Sequence, residues 1–413
     1  MYLRGSKWQM QKRKKKRRSN PALVILLVVL IGATLFFNQY VAPTIPIVES
    51  ATQTATTGPE AFINQAEELF AQGNLVQAVA SYQQAVISQP SNPSIYIALA
   101  RAEALSGNYE AAETSVRNSL LLSPDNPDGH AFLGSILNAL GRPDEAVQSI
   151  QYALALDQGN ALAHAFYSEV LADLEDYEGA GIESREAIEL GPDILEVRRA
   201  RGYVLETTGN YEEALIQYEA ALNINDRIAE IYLALGRTYR ALERYDDAIN
   251  AFVQADALNP TNSLPDTYTG LIYLTTGEFG RAVQAMTQAA QEDPSNPYRH
   301  GNLGMALYRN QQPDEALDAF TLAIRGGLTE NDIPVQGLPL DYGTEATYYY
   351  LYGLLLARAN RCAEALPISQ ALIANVPADE FAVANAEEML LICEDQAASL
   401  PTATPEPSVE AEG

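Results

Sequence analysis

The sequence predicts an all-α solenoid of about nine stacked helical hairpins closed by a C-terminal capping helix. Three observations carry this expectation: small residues recur every 34 positions, each period holds two apolar-periodic stretches, and turn residues stand between them. The hexamers GNYEAA (107–112) and GNYEEA (209–214) lie 102 residues apart, three spacings of 34.

The N-terminal elements come first. Residues 1–18 hold nine Lys/Arg and no acid, and residues 1–20 read as a basic cytoplasmic tail. The uncharged run ALVILLVVLIGATLFF (22–37) follows directly and predicts a transmembrane anchor over 21–40. Sixteen residues is slightly short for a spanning helix, which needs roughly 17–25, and snorkelling Arg17 and Arg18 cover the shortfall. The basic flank puts the N-terminus in the cytoplasm and the rest outside it. A cleaved signal peptide is the alternative, but Tyr40-Val41-Ala42 before Pro43 makes a poor cleavage site. Residues 41–58 are Thr/Pro/Ala-rich and read as disordered linker.

The repeats occupy 59–377. A small residue recurs at Ala66, Ala100, Gly134, Ser168, Gly202, Gly236, Gly270 and Gly304, and again at Gly353. Twelve residues beyond each stands an alanine: Ala78, Ala112, Ala146, Ala180, Ala214, Ala248, Ala282, Ala316 and Ala365. Seven further lie Ala85, Ser119, Ala153, Ala187, Ala221, Ala255, Ala289, Ala323 and Leu372. Small residues facing each other let two helix backbones approach closely. Gly at the corner permits the tight turn, and Pro near each repeat's end stops the second helix because it lacks an amide hydrogen. Glu175, Glu243 and Gln311 replace the corner Gly and are expected to weaken those corners. Such hairpins cannot bury both faces alone, so they stack into a superhelical solenoid.

Fifteen extra residues separate Gly304 from Gly353 beyond the usual 34, around GGLTENDIPVQGLPLDY (326–342). A structural excursion or a second contact site both fit. Residues 378–394 read as an amphipathic cap helix that completes the solenoid at about residue 395, and 396–413 as a disordered acidic Thr/Pro-rich tail. Cys362 opens the last second helix and Cys393 ends the cap. With the turn near Pro377, antiparallel helices bring them opposite each other, which predicts a disulfide; two buried thiols is the alternative.

The pattern resembles the tetratricopeptide repeat family over 59–377, as the fifth repeat shows with Gly202, Gly209, Ala214, Tyr218 and Ala221. The resemblance implies a right-handed superhelix whose first helices line a concave groove, through positions 2, 5, 9, 12 and 13 of each repeat. Those positions hold Arg101, Arg199, Arg237, Arg240, Arg309 and Arg358, with Tyr203, Tyr298, Tyr308 and Tyr350. Arg with Tyr suits peptide carboxylates and backbone. Glu196, Glu206 and Glu230 fall on the same face, so solvated Arg–Glu pairs are an equal reading. The resemblance also places His130, His164 and His300 in the slot that prefers an aromatic, as core packers, and puts Tyr349 and Tyr352 in the core of the last repeat.

Composition excludes several classes. Net charge is −27, and beyond Arg18 only 17 basic residues face 53 acids, a field that repels nucleic acid and anionic lipid. With the three His assigned to packing, no catalytic set, metal site or cofactor motif emerges. The functional expectation is a non-catalytic, single-pass, membrane-tethered adaptor or scaffold. It binds protein or peptide partners outside the cytoplasm, in the simplest setting at a bacterial cytoplasmic membrane. A receptor for a small envelope ligand (a glycan fragment or peptide) and an accessory module of an enzyme on another chain are the alternatives.

Overall fold

The computed structural model describes Ala22, Leu26, Val29 and Leu30 and the continuous stretch 58–399. The chain divides into two units, Met1–Thr56 and Thr57–Gly413. In the first, the four described residues are helical, and Leu26, Val29 and Leu30 are exposed. The basic tail, the remainder of the expected span, the linker up to residue 57 and residues 400–413 lie outside the described residues. No helix among the described residues is long and apolar enough to cross a membrane.

Over the described residues 58–399 the second unit is a helical solenoid of nine consecutive hairpins. The first three are α1–α2 (Pro59–Ala71, Leu75–Ser88), α3–α4 (Pro93–Leu105, Tyr109–Leu122) and α5–α6 (Pro127–Ala139, Pro143–Leu156). Then come α7–α8 (Ala161–Asp173, Tyr177–Leu190), α9–α10 (Leu195–Thr207, Tyr211–Ile224) and α11–α12 (Ala229–Ala241, Tyr245–Leu258). The last are α13–α14 (Leu264–Thr276, Phe279–Glu292), α15–α16 (Pro297–Arg309, Pro313–Arg325) and α17–α18 (Thr344–Arg358, Cys362–Asn375). A single helix, α19 (Glu380–Ser399), caps the stack, so residues 396–399, expected in the tail, are helical.

The 34-residue register works by pairing a small residue on the first helix with a large one on the second. A Cβ on Gly236 would lie 2.3 Å from the ring of Phe252; at Gly202 it would meet Tyr218 at 2.5 Å, and at Gly304 Phe320 at 2.8 Å. The nine alanines that follow the corners are all fully buried. Burying such small side chains brings the backbones of each hairpin together, and the rings fill the space above.

The corners are more uniform than their sequences. Glu175, Glu243, Gln311 and Asn360 adopt the left-handed conformation, with φ between 58° and 63°, that Gly73, Gly107, Gly141, Gly209 and Gly277 adopt elsewhere. Tertiary packing imposes the turn where the sequence lacks the residue that favours it.

The histidines are donors rather than pure core packers. His130, His164 and His300 each direct Nε2 to the carbonyl six residues earlier, Pro124 (2.8 Å), Gln158 (3.0 Å) and Pro294 (2.8 Å). Tyr96 and Arg198 make the same bond to the carbonyls of Pro90 and Pro192. In these five repeats the slot therefore ties the hairpin to the end of the preceding one, satisfying a carbonyl that the helix terminus leaves orphaned.

The insertion folds as a small excursion. β1 (Gly327–Leu328) and β2 (Pro334–Val335) pair antiparallel. Val335 and Leu338 are buried, and the Leu338 amide donates to the Ala323 carbonyl of α16. The excursion changes the tyrosine assignment: Tyr348, not Tyr349, is the core partner of Tyr352. Tyr349 is half-buried and donates its hydroxyl to the Leu338 carbonyl, holding the insertion as its counterparts hold ordinary repeat ends.

Candidate functional site

The first helices α3, α7, α9 and α11 present charged residues to one concave face, where they pair from repeat to repeat. Arg199 of α9 donates to Glu169 of α7 (2.9 Å) and to Glu230 of α11 (3.3 Å). Arg237 of α11 grips Glu206 of α9 with Nε and one terminal nitrogen (2.9 and 3.0 Å), and Tyr218 donates to the same carboxylate at 2.7 Å. Tyr203 donates to Asp173. Arg240 has its guanidinium 5.3 Å from the centre of the Tyr268 ring, and its Nε is buried without a hydrogen-bond partner.

An ion pair also crosses the groove. Arg101 of α3 bonds Glu196 of α9, three repeats further along. The same convergence brings Leu105 against the Leu195–Ile231 cluster and sets Gly73, in the first corner, against Arg227, between α10 and α11. The superhelix therefore closes early: the first two repeats touch the fifth and sixth. The groove between them becomes a pocket of about 420 Å³. Its apolar walls include Tyr109, Phe132, Ile136 and Phe166; its polar wall holds Arg101, Arg199 and Arg237 against Glu169, Asp173, Glu196, Glu206 and Glu230. Five carboxylates face three guanidiniums, so the pocket carries an excess of acid.

Glu169 is the strained member. It is only 8% exposed, and its Oε1 and the Nε of Arg199 are buried without hydrogen-bond partners. Burial pushes its carboxyl up to about 7, outweighing the pull of Arg199. Burial likewise pushes the Tyr109 phenol up to about 12.

The remaining candidates lie at the C-terminal end, apart from this pocket. Tyr308, Arg309 and Arg358 border a shallower depression of about 660 Å³ with Leu317 and Leu355. Arg358 donates to the Tyr308 hydroxyl (3.2 Å) and to Glu388 of the cap (2.8 Å), while Tyr298 donates to Glu345. Tyr350 packs, half-buried, on the last hydrophobic cluster. Cys362 and Cys393 are joined by a disulfide with Cα atoms 5.6 Å apart, which fixes the cap to α18. Met389 of the cap packs over Gly353, and Ser369 donates to the Ala386 carbonyl.

The sequence places the arginines in the groove with their partners Glu196, Glu206 and Glu230, but Glu169, which pairs with Arg199, and Asp173, which accepts from Tyr203, were overlooked. Glu169 and Asp173 occupy the same repeat positions, 9 and 13, that singled out the arginines, so the register itself held the signal. A trio of carboxylates, Asp256, Asp266 and Glu292, was also overlooked; their oxygens lie within 4.8 Å of one another. Asp266 stands in the donor slot of the seventh repeat, where an ionised carboxylate cannot donate. Burial, with Glu292 and Asp256 beside it, pushes Asp266 up to about 6.

Family models described as tetratricopeptide repeat match residues 69–136, then 193–257, then 133–193, 233–297 and 269–329, without a gap from 69 to 329. With the hairpin architecture, these matches show that the chain belongs to the tetratricopeptide repeat family. No curated protein matches it. Among solved structures, the crystal structure of the APC/C hetero-tetramer Cut9–Hcn1 resembles it with a TM-score of 0.46 at 17% identity. The likeness covers 62% of this chain and 57% of that one, so this chain spans little more than half of that protein's length.

Proposed function

We propose that this protein is a non-catalytic adaptor, tethered to a membrane by its apolar N-terminal run, whose solenoid binds a protein or peptide segment outside the cytoplasm. Tetratricopeptide solenoids serve as protein-interaction scaffolds, which supports the adaptor class. The observation that carries the reading is the concave pocket, which gathers side chains from six successive hairpins, α3–α4 to α13–α14, into one concave surface. The tether rests on the basic flank and uncharged run of residues 1–37.

The partial enclosure of the pocket and its aromatic walls favour a second reading, a receptor for a small ligand. Mutating the arginines would not test either one cleanly. Removing Arg199 strands Glu169 in the interior, which destabilises by about 3–5 kcal/mol. Ser135 lines the pocket without an ion pair, so Ser135→Trp plugs it instead. The full chain, extracted from its native membrane, is compared with this variant by affinity capture. A polypeptide held by the first and lost by the second, at equal helicity, supports the adaptor; equal capture by both sinks the concave-face assignment. Carbonate-resistant membrane association that survives deletion of residues 22–37 would remove the tether.

A further inference from the structure

We propose that the seam where the first two hairpins meet the fifth and sixth is a clasp on the concave pocket: closed, it admits small molecules, and opened, it admits a polypeptide segment. The proposal rests on the concave-face reading and names the device that regulates entry to that face.

Neighbouring hairpins of a solenoid share a continuous buried face, but this seam joins hairpins that are not neighbours and is sparsely built. Its catch is the ion pair from Arg101 to Glu196, and the Arg101 guanidinium is set 4.9 Å over the ring of Phe70 in the first hairpin. Among the described residues, Leu105 alone of the first two hairpins packs on the cluster around Leu195 and Ile231. An unfilled cleft of about 470 Å³ lies between Ala71, at the end of α1, and residues 222–226, at the end of α10. A seam packed this loosely opens before the hairpin interiors do. Breaking the catch returns both charges to water, and the Arg101 side chain is already 35% exposed. Arg101 and Leu105 line the pocket on one side of the seam, and Glu196 and Glu230 on the other, so parting the seam widens the mouth.

Gly73 is the point of closest approach. Its backbone has φ 77°, and a Cβ there would lie 2.6 Å from Arg227 Cβ and 2.7 Å from the Arg227 carbonyl oxygen. Both are rigid atoms, so a side chain at position 73 wedges the seam apart. Gly107 makes the same left-handed corner, with φ 84°, and has nothing within 4 Å of its Cβ site.

The chain's two cysteines, Cys362 and Cys393, are joined to each other, so Ser135→Cys adds a single free thiol, and adds it in the pocket wall. The full chain carrying this change is labelled with methyl methanethiosulfonate and, separately, with a maleimide coupled to a dodecapeptide. Each reagent is used in four backgrounds: no further change, Gly73→Ala, Gly107→Ala and Glu196→Gln. The peptide reagent reacts through the open state, a minor population of roughly 0.1–10%, so its rate follows that population. It is expected to rise about tenfold in Gly73→Ala and in Glu196→Gln, at unchanged helicity, while the methyl reagent changes less than about twofold. Gly107→Ala bears the same backbone strain without the wedge and should leave both rates as they were. An unchanged peptide rate in Glu196→Gln, or an equal rise in Gly107→Ala and Gly73→Ala, overturns the clasp. Labelling needs no partner, so either result leaves the concave-face reading to stand or fall on capture by the Ser135→Trp variant.

Discussion

Substituting alanine for two helical glycines should change stability in opposite directions. Gly236 lies inside α11, where a Cβ would stand 2.3, 2.5 and 2.7 Å from three atoms of the Phe252 ring. That ring is 1% exposed and cannot move aside, so overpacking costs about 3 kcal/mol. Alanine recovers about 1 kcal/mol of helix propensity. Gly236→Ala is therefore expected to destabilise by about 2 kcal/mol. Gly280 lies at the start of α14, exposed, with nothing within 4 Å of its Cβ site. Gly280→Ala gains propensity without a clash and should stabilise by about 0.5–1 kcal/mol. Hydrogen exchange on α11–α12 and α14 reads each change locally, which suits a repeat array that need not unfold in one step. A second change, Phe252→Leu, should recover most of the loss at Gly236. If Gly236→Ala is neutral or stabilising, or Phe252→Leu does not relieve it, the small-against-large pairing does not set the hairpin spacing.

Three further outcomes are expected. Glycine at 175, 243 or 311 relieves a left-handed corner and should stabilise by about 1 kcal/mol each, measured by urea denaturation; no gain would show that those corners are unstrained. Reducing Cys362–Cys393, whose sulfurs close a loop of sequence separation 31, should destabilise the cap by about 3.5 kcal/mol. Proteolysis of α19 with and without reductant reads this, and equal cleavage rates would refute it. Asp266 has a folded pKa of about 6 against an ordinary 3.8, so the folded state binds its proton more tightly. Its contribution is full below 3.8 and is lost as pH rises through about 6. Asp266→Asn should therefore melt with a shallower fall from pH 4 to pH 7 than the unsubstituted protein; parallel curves would show that the carboxylate trio does not share a proton.

Each hairpin was legible in the sequence because its determinants are local. A 34-residue window contains the small residue, the corner and the alanines that decide it, and each repeat contacts mainly its neighbours. The groove positions were legible for the same reason, and the register picks out Arg199 and Glu169 alike. The tyrosine run 348–352 misled because the insertion offers Tyr349 a carbonyl at Leu338 that no repeat pattern foresees, which leaves Tyr348 to fill the core.

Whether the groove stays open was decided only by tertiary structure. The bond from Arg101 to Glu196, and the approach of Gly73 to Arg227, depend on a small rotation per repeat accumulated over several hairpins. No single window holds that sum. A row of arginines that in sequence reads equally as a peptide-binding surface and as solvated Arg–Glu pairs thus becomes, in the fold, a set of ion pairs around an acid-rich pocket.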